Sequence, residues 1–191
     1  MKKLIFATNN AHKLEEVRAI VGDQFELVTL REAGITEDIP EEEPTIEGNA
    51  LAKARYVWAK TGCDCFADDT GLEVVALGGA PGVHSARYAT DGHDFAANRT
   101  KLLREMESKT DRQARFRTVV ALIEGGVERC FEGIVECEIT TSEIGEGGFG
   151  YDCLFRPTGY AQTFAELAPE EKNAISHRGR AVTKLAKWLN K

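Results

Sequence analysis

Two long strand-like segments joined by a pair of glycines constrain the fold of this chain more than any other pattern in it. Residues 116–123 are mostly apolar, and residues 127–139 alternate between apolar and acidic positions. In the second segment one face carries Phe131, Val135, Cys137 and Ile139, and the other carries Glu132, Glu136 and Glu138. Gly125 and Gly126 allow the tight turn that a two-residue hairpin needs. The pattern therefore predicts an antiparallel hairpin with one buried face.

Before this hairpin, strand patterns alternate with helical ones. Leu4–Ala7 is a short apolar run typical of a central strand, and the apolar residues after it recur at helical spacing: Leu14, Val17, Ile20 and Val21. Thr45 is placed to cap a second helix, whose apolar stripe is Ile46, Ala50, Ala54 and Val57. Further helices are predicted at 95–106, 169–174 and 182–189. We therefore expect an α/β fold: a long, mixed, twisted β-sheet flanked by helices, in two lobes with a central active-site cleft.

Length and charge limit what the chain can be. With 191 residues and 42% hydrophobic content it can bury one substantial core, so we expect residues 1–191 to form a single domain. A formal net charge of -7 argues against binding a nucleic acid polymer, which depends on Lys and Arg releasing counterions from phosphates. A small phosphate ligand is not excluded, because a few lysines and a helix N-terminus can bind it within an acidic protein.

Targeting signals and cysteine spacing bear on the compartment. The first apolar run ends at Ala7, too soon for a signal peptide, and no segment approaches the ~18 apolar residues of a membrane span. The five cysteines lack the C-x-x-C spacing of a zinc site. Cys63 and Cys65 could be a redox pair, but their strand context favours core or edge thiols. We expect a cytoplasmic protein whose cysteines are mostly buried, with no membrane contact.

The pair Asp68-Asp69 is the strongest chemical signal. It follows Cys65–Ala67, which is typical of the end of a buried strand, and precedes Gly71, where the backbone could turn sharply. Carboxylates this close repel each other as water is excluded, so a cation usually holds them together. Oxygen ligands favour Mg²⁺ or Mn²⁺. The alternative is that Asp68 caps the turn while Asp69 is solvated.

Residues 145–150 match the letters G-x-G-x-x-G of a dinucleotide-binding fingerprint. The fingerprint requires a strand before it and a helix after it, whereas here the glycines follow a hairpin and lead into residues 151–155. We therefore reject it and expect a ligand-contacting loop. Phe149, Tyr151 and Asp152 could offer a stacking surface and an acceptor to a heterocyclic base. Alternatively, the two aromatic residues anchor a glycine-rich turn to the core.

Two further segments carry cations suited to phosphate. Residues 8–13 lie at a strand-to-helix junction, where backbone N–H groups are unpaired, and Lys13 adds a point charge. The P-loop pattern is absent there. Lys172, Ser176, His177 and Arg178 cluster near the start of the last helix. Taken alone, they would indicate a solvated helix face, because Lys and Arg are mostly exposed.

In this order the segments resemble the Ham1-like family of inosine triphosphate pyrophosphatases, from one end of the chain to the other. The resemblance rests on five stretches: 8–13, 67–72, 77–88 with its Gly-Gly-Ala-Pro-Gly turn, 147–152, and 165–178 with Glu171-Lys172 and Ser176-His177-Arg178. The family's first loop often reads Thr-Gly-Asn, and here Asn9 stands at the glycine. Asn tolerates left-handed backbone better than most residues, so the loop is expected to survive.

The resemblance also implies a role for each matching residue. The triphosphate would be held by Lys172 and by the first loop, which consists of Thr8, Asn9, Asn10, Ala11, His12 and Lys13. Asp69 would be the general base and a metal ligand, Thr70 would touch the substrate, and Glu41 would be the second metal carboxylate, with Glu42 and Glu47 as alternatives. The base would lie against Phe149, Gly150, Tyr151 and Asp152, and would be read by His177 and Arg178.

The implied activity is Mg²⁺-dependent hydrolysis of non-standard purine nucleoside triphosphates, such as those of inosine and xanthosine, to a monophosphate and pyrophosphate. Mn²⁺ could replace Mg²⁺, and the family leads us to expect a homodimer. One alternative is a nucleotide-binding sensor without turnover. Others are a pyrophosphatase for a modified pyrimidine, which would lack the purine-reading pair, and an RNA-binding module, which the acidic balance disfavours.

Overall fold

The computed structural model describes residues 1–191, which form seven strands and five α-helices. The strands are β1 Lys3–Phe6, β2 Glu26–Thr29, β3 Cys65–Val74, β4 Pro81–Gly82, β5 Gln113–Glu124, β6 Val127–Ile139 and β7 Phe155–Pro157. The helices are α1 Ala11–Val21, α2 Ile46–Thr61, α3 Phe95–Met106, α4 Pro169–Ile175 and α5 His177–Leu189. Short 3₁₀ helices occupy Val75–Leu77, Ser85–Arg87 and Asp152–Leu154.

All seven strands belong to one sheet, in the order β2-β1-β3-β5-β6-β7, with β4 paired to β3. The pairs β1–β2 and β1–β3 are parallel, whereas β3–β4 and β6–β7 are antiparallel. The expected mixed sheet with flanking helices is therefore confirmed. The hairpin is confirmed as well, because β5 and β6 are neighbours joined at Gly125 and Gly126, whose φ angles are 57° and 81°.

The prediction that a strand ends at Ala67 and turns at Gly71 is wrong. β3 continues through both aspartates and through Gly71, which is buried and has no positive φ. The strand ends at Val74, and Val75–Leu77 after it is a 3₁₀ helix. The diacid therefore lies in the middle of a ten-residue strand. In a strand, neighbouring side chains point to opposite faces.

By its internal contacts the chain divides into two compact units. The first contains residues 1–69, 118–133 and 177–191, and the second contains 70–117 and 134–176. Three strands, β3, β5 and β6, contribute residues to both units. Each unit has its own core.

In the first unit, α1 and α5 pack on one face of the sheet. Their shared core contains Leu4, Phe6, Val17, Val21, Phe25, Phe66, Val120, Leu122, Ala181, Val182 and Leu185. Phe6 and Phe66 from adjacent strands stack with their ring centroids 4.5 Å apart. Burial of this much apolar surface fixes both helices to the sheet.

The start of α5 also depends on a glycine in β6. A Cβ atom at Gly133 would lie 2.0 Å from the carbonyl oxygen of His177 and 2.7 Å from the amide nitrogen of Ala181. Real Cβ atoms do not come that close to backbone, so only glycine lets the first turn of α5 approach the strand. The position of His177 and Arg178 in the first unit depends on this contact.

In the second unit, α3 packs on the core through Leu102 and Met106. The same core contains Leu72, Val74, Ala114, Phe116, Val135, Cys137, Ile139, Tyr151, Leu154, Phe155, Phe164 and Leu167. The rings of Phe116 and Phe155 stack with centroids 4.2 Å apart, and Phe164 lies 4.7 Å from Phe155. Tyr151, which directly precedes Asp152, belongs to this core.

Two further findings concern the cysteines and membranes. All five cysteines are free, but only Cys65 and Cys137 are buried, while Cys63 and Cys130 are exposed and Cys153 is intermediate. The expectation that most are buried is therefore wrong. None of the helices has the length and apolar character required to span a bilayer.

Candidate active site

The strand-to-helix junction at residues 8–13 is fixed by side-chain caps. Asn10 Oδ1 accepts hydrogen bonds from the amides of His12, at 3.0 Å, and Lys13, at 3.2 Å. The Asn10 amide in turn donates to Thr8 Oγ1 at 3.1 Å. Asn9 is exposed and has a negative φ, so the absence of glycine there requires no left-handed backbone. The loop expected to bind phosphate forms with asparagine at this position.

On the α1–α5 face of the sheet, Asp68 pairs with two cationic side chains, those of Lys13 and Arg178. Its Oδ1 lies 3.1 Å from Lys13 Nζ, and its Oδ2 accepts a hydrogen bond from Arg178 Nε at 2.9 Å. The guanidinium of Arg178 also donates through Nη1 to Glu16 on α1. Both Asp68 and Arg178 are almost fully buried. The carboxylate of Asp68 therefore serves to hold α1 and α5 side chains in place.

On the opposite face, Asp69 lies near Lys53 of α2. Lys53 Nζ is 3.8 Å from Asp69 Oδ1 and 2.9 Å from Glu41 Oε1. Asp69 is 7% exposed, and its buried Oδ2 has no hydrogen-bond partner in the protein. One ammonium group thus bridges the two carboxylates that were expected to bind a metal.

Strand geometry explains why the two aspartates have different partners. Phe66 and Asp68 share the face covered by α1 and α5, whereas the thiol of Cys65, on the face of Asp69, donates to the carbonyl of Ala54 in α2. The two aspartates therefore pair with different side chains, Asp68 with Lys13 and Arg178, and Asp69 with Lys53. The alternative, in which Asp69 is solvated, is wrong, because both carboxylates are buried.

The two aspartates also differ in the direction of their pKa shifts. Burial alone would raise the pKa of Asp68, but Lys13, Arg178 and Lys53 hold it well below its usual range. For Asp69 burial prevails, and its pKa is raised despite the nearby lysines, with Glu41 and Asp68 adding to the shift. A buried carboxylate with a raised pKa is a better proton acceptor once it is ionised. Asp69 is therefore the better base of the pair.

The two lysines are perturbed in opposite senses. Burial lowers the pKa of Lys13. Burial also opposes the charge on Lys53, but Asp69, Glu41 and Asp68 together raise its pKa. We define Lys13, Glu16, Glu41, Lys53, Asp68, Asp69 and Arg178 as the carboxylate–cation cluster. It belongs entirely to the first unit.

The side chains around Lys53 provide part of the ligand set that a divalent cation needs. No group of three or more His, Cys, Asp or Glu side chains has the arrangement of a complete protein-only metal site. Two features still fit a hard cation: the unpartnered oxygen of Asp69, and Glu41, whose side chain is 31% exposed and shares Lys53 with Asp69. Mg²⁺ ordinarily takes one or two carboxylates together with substrate phosphates. Glu42 and Glu47 are exposed, and neither pairs with Lys53.

In the second unit, the chain from Phe149 to Asp152 is held by Lys172. Lys172 Nζ lies 2.6 Å from Asp152 Oδ2, which also accepts a hydrogen bond from the Phe149 amide at 3.0 Å. The ammonium group lies 5.1 Å from the centre of the Phe149 ring, within reach of a cation–π contact. The structure brings Lys172, Phe149 and Asp152 together as one group.

Tyr151 does not offer a stacking face. It is 5% exposed, and its hydroxyl donates to the carbonyl of Ser85 at 2.7 Å. For Tyr151 the anchoring interpretation is therefore correct. Gly150 and Phe149 remain half-buried, so they are the part of the loop that a ligand could touch.

The interpretation of 172–178 as a solvated helix face is wrong. Lys172, Ser176, His177 and Arg178 are all 5% exposed or less. Lys172 and Arg178 are buried with acidic partners, which satisfies their charges. Buried ionised groups are rare unless paired, and they mark functional sites more often than other positions do.

A sequence model of the Ham1 family matches residues 4–188. A dITP/XTP pyrophosphatase of Porphyromonas gingivalis is 53% identical over 190 residues, which cover 99% of this chain and 98% of that protein. The chain belongs to the Ham1 family. A Ham1 protein from Coxiella burnetii shares the fold with a TM-score of 0.91 at 38% identity, covering 100% of this chain and 99% of its own. For the Staphylococcus aureus Ham1 protein the TM-score is 0.89 at 36% identity, with 99% and 98% covered.

Sequence reasoning missed two residues of the cluster in this Ham1 chain, Lys53 and Glu16. A signal for Lys53 was present, because Asn49 and Lys53 occupy the same buried stripe of α2 as Ile46, Ala50 and Val57. Asn49 Oδ1 accepts from the amide of Glu43 at 2.9 Å and so fixes the acidic loop that carries Glu41. Polar residues at buried helix positions usually have a specific partner. For Glu16, which lies on the polar side of α1, no such signal existed.

Proposed function

We propose that this protein hydrolyses non-standard purine nucleoside triphosphates, including those of inosine, deoxyinosine and xanthosine, to the nucleoside monophosphate and pyrophosphate. The observation that carries the proposal is Asp69: a buried carboxylate with a raised pKa and one unpartnered oxygen, beside Lys53. The relatives named dITP/XTP pyrophosphatases, matched over nearly their whole length, support the same activity.

In the proposed mechanism, Asp69 accepts a proton from water, and the water oxygen attacks a phosphorus atom. The bond from that phosphorus to the bridging oxygen breaks, and pyrophosphate leaves. Lys13, Lys53 and Lys172 offset the charge that develops on the phosphate oxygens. At the start of α1 the amides of Asn10, His12 and Lys13 already donate to side-chain caps, so the amides of Asn9 and Ala11 are the donors proposed for phosphate in the 8–13 loop. Thr70 contacts the substrate.

A divalent cation fits the acidic side of the cluster. Asp69 and Glu41 would hold Mg²⁺, or Mn²⁺ in its place, and the ion would supply positive charge against the phosphate oxygens. Because every candidate ligand is an oxygen, Zn²⁺ is expected to substitute poorly.

For the base we propose the Phe149–Asp152 loop, with His177 and Arg178 as readers. Inosine and xanthosine carry an acceptor oxygen at position 6, where adenine carries an amino donor, so a donor aimed there rejects adenine. Arg178 already donates to Asp68 and Glu16. Arg178→Ala tests the assignment by whether it narrows the gap in kcat/KM between inosine and adenosine triphosphates.

We further propose that residues 1–191 act as a single domain, as a homodimer in the cytoplasm. Five cysteines without a disulfide suit a reducing compartment. Two-fold dimers are the commonest assemblies, and the turn at residues 78–82 is a candidate interface. Light scattering that reports a monomer of about 21.0 kDa would remove the dimer.

The deciding experiment is a substrate panel. Pyrophosphate release is measured with the triphosphates of inosine, deoxyinosine and xanthosine, and of adenosine and guanosine, each with Mg²⁺ and with a chelator. We expect pyrophosphate from the first three only, and only with metal present. Tight binding without product would favour a nucleotide sensor, and preference for a modified pyrimidine would favour the related pyrophosphatase. Asp69→Asn is the inactive control.

A further inference from the structure

The Phe149–Asp152 loop is braced by the start of α3, a helix to which the proposed function gives no role. Arg99 Nη1 donates a hydrogen bond to the carbonyl of Gly150 at 3.0 Å. One turn earlier, the ring of Phe95 lies 6.0 Å from the ring of Phe149. The Arg99 side chain is 22% exposed, so most of it lies against the protein.

Arg99 is itself held in place. Its Nε donates to the carboxylate of Glu143, which precedes the glycine-rich segment. The helix that carries it is fixed at its N-terminus, where Asp94 caps the amide of Ala97 at 2.9 Å. Asn98 Nδ2 donates to the carbonyl of Ala86 at 3.0 Å, and its Oδ1 accepts from the amide of Ala89 at 2.8 Å. Arg99 therefore extends from a fixed support.

The bond to Gly150 matters because it is made to the backbone carbonyl of a glycine, between the half-buried Phe149 and the anchored Tyr151. Gly150 has a φ of +60°, and a Cβ atom there would meet nothing within 4 Å. Glycine has the widest choice of backbone conformations, so the orientation of its carbonyl depends on hydrogen bonds. The neighbouring Phe149 amide is held by Asp152, but the Gly150 carbonyl is held by Arg99.

We propose that Arg99, oriented by Glu143, is a positioning residue that sets the conformation of the Phe149–Asp152 loop for binding the base. The inference rests on the proposed function, which assigns the base to this loop. Arg99 makes no contact with the reacting phosphate in this role. Arg99 holds the loop in its binding conformation before the nucleotide arrives. Binding then requires less ordering of the loop, which lowers its entropic cost.

The first test is kinetic. Arg99→Ala is expected to raise KM for inosine triphosphate about 10-fold, the scale of losing a charge-assisted hydrogen bond, and to change kcat less than about 2-fold. Inorganic tripolyphosphate, which has no base, should inhibit the variant and the wild type equally. Arg104→Ala, an exposed arginine on the same helix, is the matched control and should match the wild type.

The second test needs no nucleotide. Amide hydrogen exchange in peptides covering residues 144–154 should quicken in Arg99→Ala and stay unchanged in Arg104→Ala. Arg99→Lys keeps a cationic donor but not the guanidinium, so its KM and exchange rate should fall between those of Arg99→Ala and the wild type. It replaces Arg99→Ala in both tests if the alanine variant does not fold. Glu143→Ala should act in the same direction as Arg99→Ala. The double variant should be no worse than Arg99→Ala, because Glu143 acts through Arg99.

Two results would overturn the inference. One is an equal loss of affinity of Arg99→Ala for inosine triphosphate and for tripolyphosphate, which would mean that Arg99 binds the phosphates. The other is unchanged exchange in residues 144–154. If the wild type does not hydrolyse inosine triphosphate, the proposed function fails, while the exchange comparison still decides whether Arg99 sets the loop.

Discussion

The carboxylate–cation cluster of the first unit and the Phe149–Asp152 loop of the second are held in different ways. The cluster collects side chains from α1, α2, α5, β3 and the acidic loop, and ion pairs between buried and partly buried groups connect them. The loop is one short stretch of chain, which is shaped by glycines, by the Asp152–Lys172 pair and by backbone contacts. The cluster is therefore sensitive to loss of charge, and the loop to added volume.

The pair Asp68 and Asp69 shows what this difference implies within the cluster itself. Asp68 is fully paired and has a lowered pKa, which suits a support. Asp69 keeps an unpartnered oxygen and a raised pKa, which suits a reacting group. Alternation along β3 separates the two roles by placing the neighbours on opposite faces.

The largest expected effect comes from Asp68→Asn. It leaves the buried charge of Arg178 and the partly buried charge of Lys13 without their common carboxylate, and breaking a buried pair in this way costs about 3–5 kcal/mol. Urea denaturation at neutral pH measures it. Asp23→Asn, an exposed aspartate of the same unit, should change the free energy of unfolding little.

The difference in stability between the wild type and Asp68→Asn should also depend on pH. Because the folded-state pKa of Asp68 lies below its ordinary value of 3.8, its contribution to stability is complete above that value and is lost as the pH falls further. The gap between wild type and Asp68→Asn should therefore be largest near neutral pH and shrink below about pH 4. A gap that stays constant with pH would contradict a charged role for Asp68.

Next in size is Asp69→Asn, which removes the proposed base without leaving a cation fully unpaired, since Lys53 keeps Glu41. Turnover of inosine triphosphate should fall at least ~10²-fold, the usual scale for a lost general base. The free energy of unfolding should change much less than in Asp68→Asn. Near-normal turnover would remove Asp69 from the chemical step.

Adding a methyl group at Gly148 tests whether the Phe149–Asp152 loop is sensitive to added volume. At Gly148, where φ is +66°, a Cβ atom would lie 2.2 Å from Asp152 Oδ2, which is already bound to Lys172 and to the Phe149 amide. Gly148→Ala should cost about 1–3 kcal/mol and raise KM. Gly159→Ala has a similar backbone cost, because φ there is +87°, but meets nothing within 4 Å. It should leave KM unchanged, and an equal KM effect would refute the clash.

The smallest expected effect, that of Arg55→Ala, tests how much burial contributes to the strength of an ion pair. Arg55 and Glu128 form a bidentate ion pair in the first unit, but their side chains are 57% and 38% exposed. Arg55→Ala should cost only about 0.2–1 kcal/mol, because exposed pairs are screened by water and salt. If urea denaturation gives a loss near that of Asp68→Asn, charge rather than burial controls the stability of this unit.

The sequence predicted those features of the fold and site that depend on residues close together in the chain. The hairpin, the cap at Thr45, and the rejection of the glycine fingerprint needed only neighbouring residues, and each is confirmed. The end of β3 was misplaced because the turn preference of Asp and Gly gave way to sheet pairing on both sides. The pairing of Arg178 with Glu16 joins residues 162 positions apart. No periodicity encodes such a pairing.

Gly133 illustrates how far a residue can act from the chemistry it supports. It carries no functional group, yet any side chain there would collide with the backbone of His177 and displace the first turn of α5. In a genetic screen for loss of function, Gly133 would therefore score alongside Asp69. A survey of tolerated substitutions would then mark as essential a position that has no side chain.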